Sequence, residues 1–281
     1  MSTSDTYEVY AIQYAYRAER KRYETFITNA WTDALHDSPQ PISYYVWAIV
    51  NRERTIVVDT GFDAREAQRR RDVTGGVWRP DMRCTPGEGL RMIGVDAAKV
   101  QDVIITHLHY DHAGCLDEFP AARFHLQEVE MQYATGPHMA HEYFAGAYTV
   151  EHVVEMVRHV YRGRVAFHAG EDELAPGITV HCIGGHTPGI QSVVVQTARG
   201  PLVLASDASH FYDNVERHAP YPIVHDVGHM LDGFTKLHEL AGRDGLIIPG
   251  HDPLVMQRYP VASDASVGVI ARLDAGPVMR G

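Results

Sequence analysis

Apolar and polar positions along this chain fall into short segments of two periods. Glu8 to Tyr16, Ile42 to Val50 and Thr55 to Val58 are rich in β-branched and aromatic residues, which predicts strands, and the third runs into Asp59-Thr60-Gly61. Val103-Ile104-Ile105-Thr106, Ile178 to Ile183, Pro201 to Ser206 and Leu246-Ile247-Ile248 are apolar runs of the length expected for buried strands. Helical spacing appears elsewhere. Val153, Val157, Val160 and Tyr161 recur along one face of Glu151 to Arg162, and Met230, Leu231, Phe234, Leu237 and Leu240 do so within Gly228 to Ala241. Thr85-Pro86-Gly87-Glu88 has the order of a capping box with proline at the first helical position, so a helix is predicted from there to about Ile93. Arg69-Arg70-Arg71 reads as an exposed helix face, and Ser209 to Asn214 as a segment that begins as a loop.

Composition narrows the class of molecule. With 45% hydrophobic and 22% charged residues in 281, the chain can bury a sizeable core, and no fixed-period repeat or low-complexity tract is visible. Met1 to Thr6 lacks a basic segment leading into an apolar one, and no run of about 18 apolar residues occurs, so export and membrane insertion are not expected. Three scattered cysteines, Cys84, Cys115 and Cys182, suit reduced thiols in a cytoplasm, with Cys115 read as a small packed side chain. A formal charge of −11 disfavours a nucleic-acid partner, which needs a basic footprint, and fits a small neutral or weakly charged substrate.

Candidate chemistry is concentrated in seven residues. His107-Leu108-His109-Tyr110-Asp111-His112 is followed by His186, Asp207 and His251. Five imidazoles and two carboxylates suffice to hold two divalent ions with a water between them. His107 and His109, two apart, project to one side of an extended segment, while Asp111 and His112 leave the next turn in different directions, so each pair can serve its own ion. Each ligand segment follows one of the apolar runs, and four strands delivering ligands at their C-terminal ends could place all seven at one edge of a sheet. Eighteen histidines produce chance pairs, but an ordered set behind four predicted strands is not a chance pair. Because the ligands span His107 to His251, residues 1–281 read as one domain, with a helical insertion around 128–165 that covers the pocket.

This ordered set resembles the metallo-β-lactamase-fold superfamily from about Ile56 to His251. The resemblance implies an α/β chain folded as a four-layer αβ/βα sandwich with a dinuclear site at the edge of its two sheets. It implies that His107, His109 and His186 bind one metal, Asp111, His112 and His251 a second, and that Asp207 bridges both while Asp59 supports the ligands from behind. Within the superfamily the chain looks most like the N-acyl-homoserine lactonase group, through Val57-Val58-Asp59-Thr60-Gly61-Phe62, His186-Thr187-Pro188-Gly189 with Gln191-Ser192, Asp at the bridging position and a short tail after His251. One departure concerns the substrate contact: members carry Tyr after Asp-Ala-Ser, whereas Asp207-Ala208-Ser209 is followed here by His210, with Tyr212 two residues on.

The implied reaction is opening of a lactone ring, on an acyl-homoserine lactone or a catabolic lactone, by a metal-bridging hydroxide. Asp111 would accept or shuttle the proton, and His210 or Tyr212 would stabilise the oxyanion or protonate the leaving alkoxide. Zinc is the default ion, with iron, manganese and cobalt compatible. Substrate selection is assigned to Tyr44, Tyr45 and Trp47 and to the insertion. A thioester hydrolase of glyoxalase II type and an iron-dependent oxidoreductase of the same fold are the alternatives. A homodimer is implied by the resemblance alone.

Overall fold

The computed structural model describes residues 6–27 and 31–278. In chain order the strands are β1 (Glu8–Arg17), β2 (Ile42–Val50), β3 (Thr55–Val58), β4 (Asp81–Met82), β5 (Asp102–Ile104), β6 (Arg123–Gln127), β7 (Val165–His168), β8 (Glu171–Ala175), β9 (Ile178–Cys182), β10 (Gln191–Thr197), β11 (Gly200–Ser206), β12 (Leu246–Pro249) and β13 (Ile270–Arg272). The helices are α1 (Ala64–Val73), α2 (Pro86–Met92), α3 (Glu128–Ala134), α4 (Glu142–Ala145), α5 (Val150–Tyr161), α6 (Tyr212–Arg217), α7 (Val227–Ala241) and α8 (Leu254–Arg258).

The strands form two sheets. One has the order β13-β1-β2-β3-β5-β6-β7 with β4 added to β1, and the other the order β12-β11-β10-β9-β8. Alternation along each strand divides the side chains between layers. In β2, Tyr45, Trp47 and Ile49 face Val180, Val193, Val195, Leu202 and Leu204 of the second sheet, forming the core between the sheets. Tyr44, Val46 and Ala48 face the opposite way, into a cluster with Leu90 of α2 and Val153 and Met156 of α5. Outside the second sheet, Val194, Val203 and Ala205 pack on Met230, Phe234 and Leu237 of α7. The layers are therefore helix, sheet, sheet, helix, the sandwich anticipated above.

Local signals in the sequence account for most boundaries. Thr85 caps α2, its hydroxyl accepting from the Glu88 N–H at 3.2 Å while Glu88 accepts from the Thr85 N–H at 2.8 Å. β5 stops at Ile104 and does not reach Thr106, because the Thr106 N–H is taken by the Asp59 carboxylate at 2.7 Å. The arginine run lies on α1 with Arg69 and Arg71 exposed, but Arg70 turns inward. Its guanidinium sits 3.4 Å from the Tyr110 ring centroid and bonds Glu66 at 2.7 Å. The segment 128–165 contains α3, α4 and α5. Among the described residues no helix is long and apolar enough to cross a membrane.

Candidate metal centre

The four ligand segments leave the C-terminal ends of β5, β9, β11 and β12. β5 belongs to one sheet and the other three to the second, so the cluster lies at the shared edge of two sheets and not along one. Two non-glycine residues with positive φ flank it: Asp59 at 63° and Ser206 at 48°. Left-handed backbone at a buried non-glycine residue is disfavoured and persists where surrounding contacts enforce it. At Asp59 those contacts are hydrogen bonds to its carboxylate from the Thr106 N–H, the Thr106 hydroxyl and His112 Nδ1. Gly250, between β12 and His251, permits a close approach: a Cβ there would lie 2.6 Å from Asp207 Oδ1 and 2.7 Å from the Ser206 backbone.

All seven side chains come together and are buried. His186 Nε2 lies 3.1 Å from His107 Nε2 and 2.9 Å from His109 Nδ1. On the other side, Asp111 Oδ2 lies 3.7 Å from His112 Nε2 and 3.6 Å from His251 Nε2. Asp207 stands between the two groups. Its Oδ2 is 3.4 Å from His186 Nε2, and its Oδ1 is 3.3 Å from His112 Nε2 and 3.0 Å from His251 Nε2. Ligand atoms about 2.0–2.1 Å from a tetrahedral ion are roughly 3.3 Å apart, the spacing found here.

The outer ring nitrogens fix which atoms point inward. His186 Nδ1 donates to the Ile223 carbonyl at 2.8 Å and His251 Nδ1 to the Ser43 carbonyl at 2.7 Å. His112 Nδ1 donates to Asp59 Oδ2 at 2.7 Å. Thr106 gives its hydroxyl proton to Asp59 at 2.9 Å, which leaves its oxygen to accept from His107 Nδ1 at 3.1 Å. With protons on the outer nitrogens of His107 and His186, their Nε2 atoms carry lone pairs, and lone pairs about 3 Å apart repel unless a cation lies between them. His112 Nε2 and Asp207 Oδ1 are buried and make no hydrogen bond among the described residues. The donor set therefore fits divalent metal ions.

Electrostatics favour the ligating forms for one group. Burial holds the rings of His107 and His109 well below the usual imidazole range and brings His186 down to about 4. At His112 burial opposes the charged form, but the carboxylates of Asp207, Asp111 and Asp59 outweigh it and raise the ring above its usual range.

The two residues considered in place of the family tyrosine separate. His210 joins the cluster: its Nε2 is 2.9 Å from Asp207 Oδ2, and its ring stacks on Tyr221 at 3.8 Å. Tyr212 does not. As the first residue of α6 its side chain turns into the core between the sheets, under the Arg258 guanidinium at 3.8 Å, and lines a separate cavity with Asp252 and Pro253. The role suggested for Tyr212 is thus corrected, since at the start of α6 its side chain enters the core between the sheets and not the metal cluster. Tyr45 and Trp47 are likewise core, while Tyr44 packs edge-on against His251 and lines the pocket.

Other residues escaped the sequence reading. Glu130 on α3 is fully buried and accepts from the Leu108 N–H at 3.0 Å, the Tyr148 hydroxyl at 3.0 Å and the Thr187 hydroxyl at 2.6 Å. It thereby ties both ligand loops to the helical segment. Burial pushes its carboxyl above the usual range despite those bonds. Tyr221 donates to the Asp207 carbonyl, and Tyr14 to the Asp111 carbonyl at 2.9 Å. No local motif marks any of the three.

The cluster forms the floor of a cavity of about 540 Å³, reached by His109, Asp111, His186, Asp207, His210 and His251. Tyr44, Trp78 and Tyr110 form one wall, and Tyr133, Tyr143 and Phe144 from the 128–165 segment form another.

Comparison with known proteins agrees with this architecture. The N-acyl homoserine lactonase AttM of Azorhizobium caulinodans is 31% identical over 189 residues, 65% of this chain and 68% of the relative. AttM of Rhizobium johnstonii is 25% identical over 238 residues, 80% and 86% of the two chains. An N-acyl homoserine lactone hydrolase with N-hexanoyl-L-homoserine bound at its catalytic metal centre superposes with a TM-score of 0.73 at 21% identity, covering 92% of this chain and 98% of that one. A quorum-quenching N-acyl homoserine lactone lactonase gives 0.70 at 21% identity, covering 88% and 93%. The family model described as Metallo-beta-lactamase superfamily matches residues 40–251, the interval that carries every residue of the cluster, and the chain belongs to that superfamily.

Proposed function

We propose that this protein is a dinuclear metal-dependent lactonase. The observation that carries the reading is the pair of buried donor groups with Asp207 between them, its Oδ2 3.4 Å from His186 Nε2 and its two oxygens 3.0 and 3.1 Å from His251 Nε2. His107, His109 and His186 would hold one ion, Asp111, His112 and His251 the other, and Asp207 both. Two divalent ions, zinc by donor chemistry with iron, manganese or cobalt compatible, would supply Lewis acidity to the ester carbonyl and acidify a water.

The remaining work falls to the chain itself. Asp59 and the carbonyls of Ser43 and Ile223 keep the imidazoles in one tautomer. Asp111, bordering the cavity, is placed to accept the proton of the attacking water. Burial lowers His210 to about 3, so the ring is neutral. With its Nε2 2.9 Å from Asp207 Oδ2, a neutral ring would donate to and orient the bridging carboxylate. The aromatic walls exclude water around a small ester, and the names of the AttM relatives supply the class of ring.

Proton release by metal-quantified protein tests this against acyl-homoserine lactones, γ- and δ-lactones, aryl esters and a glutathione thioester. Lactone turnover with about two ions per chain, abolished by His109→Ala or Asp207→Ala, is the expected result. Fully metallated protein that leaves every lactone intact overturns the reading, and thioester cleavage or oxygen uptake would then identify the chemistry.

A further inference from the structure

The cavity that holds the metal cluster is also lined by two buried guanidiniums that share one carboxylate. Arg17, the last residue of β1, and Arg20 both line the cavity and are buried, at 8% and 4% exposure. A single carboxylate, Glu24, serves them both. Arg20 is otherwise satisfied, donating to the Thr25 hydroxyl and the Glu24 carbonyl. Arg17 is not. Its nearest contact with Glu24 is 3.5 Å, beyond the usual range for a charged hydrogen bond, and its Nε is buried with no partner among the described residues. Arg70, a third guanidinium on the cavity, is neutralised by Glu66 and also bonds Thr149 and the carbonyls of Gly146 and Tyr148.

A buried guanidinium with an unused donor is costly unless something pairs with it, and its planar fork matches a carboxylate. The same cavity is lined by the metal cluster and by aromatic rings. We propose that Arg17 is a specificity residue for a carboxylate on the substrate, so that the preferred ester is a lactone acid, its ring carbonyl at the cluster and its carboxylate on Arg17. This rests on the lactonase reading and adds the substrate's charge to it. A single carboxylate is consistent with the acidic net charge of the chain, because the local field of Arg17 and Arg20 acts at contact distance while distant surface charge is screened.

The test compares γ-lactones bearing a carboxylate on tethers of increasing length with the matching carboxamides, using metal-loaded protein. For the best tether, kcat/KM should favour the acid by about tenfold to a hundredfold, the size of one charge-assisted hydrogen bond. In Arg17→Gln that ratio should fall toward one, in Arg17→Lys it should recover in part, and in Glu24→Gln, which removes the competing carboxylate, it should rise. Because each ratio is taken within one variant, a loss of folded protein does not imitate the effect. Calorimetric binding of glutarate and adipate against their monoamides to metal-loaded protein gives a second readout that needs no turnover.

Lactones hydrolysed without preference for the acid at any tether, with no dicarboxylate preference in binding, overturn the role of Arg17 and leave the lactonase standing. Dicarboxylate preference that disappears in Arg17→Gln, with no lactone turned over, upholds the anion site and overturns the lactonase. An acid preference that survives unchanged in Arg17→Gln also overturns the assignment.

Discussion

Replacing Asp59 by Asn isolates the buried carboxylate behind the proposed metal centre. The substitution keeps size and shape, and Asn tolerates the φ of 63° at this position, so the backbone has no reason to move. What changes is the number of acceptors. The carboxylate accepts from the Thr106 N–H at 2.7 Å through Oδ1, and from His112 Nδ1 at 2.7 Å and the Thr106 hydroxyl at 2.9 Å through Oδ2. An amide has one acceptor oxygen and one NH2, so whichever way it turns, either the Thr106 N–H or the His112 and Thr106 donors face another donor. Loss of one hydrogen bond to a charged group is worth about 1.5–3 kcal/mol. Removing the partner that orients a metal-binding histidine lowers affinity by about 10–100-fold, the same range. The effect should be larger for the ion held through His112 than for the one held by His107, His109 and His186, since Asp59 reaches His107 only through Thr106. Competition titration of the loaded protein against a chelator of known affinity, resolved into two phases, measures both constants. Unfolding of the metal-free variant in urea separates affinity from stability. If both ions are held within about threefold of wild type, or if the His107 side weakens more, the role given to Asp59 is wrong.

Two other substitutions probe the scaffold. Burial opposes the charge of Glu66, but Arg69, Thr149 and Arg70 outweigh it and hold the carboxyl at about 2, below its unfolded value. A depressed carboxylate contributes stability above the unfolded pKa and loses it as pH falls through the folded one. The contribution of up to about 3 kcal/mol should therefore be complete above pH ~5 and fade toward pH ~2. Urea midpoints should show wild type well above Glu66→Gln at pH 6 and the gap narrowing by pH 3; a constant gap contradicts the pairing. Gly250→Ala places a methyl group where Asp207 Oδ1 and the Ser206 backbone already stand, so the Asp207 carboxylate must shift. A fall in bound metal per chain, with unfolding lowered by about 1–3 kcal/mol, is expected, and full metal content would show that the loop has room.

Much of this protein could be read without its fold, for reasons that are local. β2 and β3 begin and end where their apolar content does, and α2 starts at its capping box, because alternation and end-capping are settled by neighbours along the chain. The seven clustered residues were also legible, since nitrogen and carboxylate donors are set by side-chain identity and their order placed each behind an apolar run. Other elements were not. β8 is the outer strand of its sheet and carries Glu171, Asp172 and Glu173, which protect an edge from further pairing but erase the apolar signal of a strand. β6 and β10 also went unrecognised.

Which face each residue presents was decided only in three dimensions. Tyr44 and Tyr45 are neighbours of one type, yet register puts one beside His251 and the other in the core. His210 and Tyr212 looked interchangeable until the start of α6 sent one to Asp207 and the other to Arg258. Glu130 and Tyr221 owe their positions to partners from 14 to 57 residues away, as the separations of Tyr221 from Asp207 and of Glu130 from Thr187 record, and Arg17 meets the metal cluster only in the lining of a shared cavity. The sequence by itself determined which donors exist and which short segments hold them. Their convergence on one point, in a cavity shared with the buried Arg17, came from packing two sheets face to face, because long-range burial and not local preference sets where side chains meet.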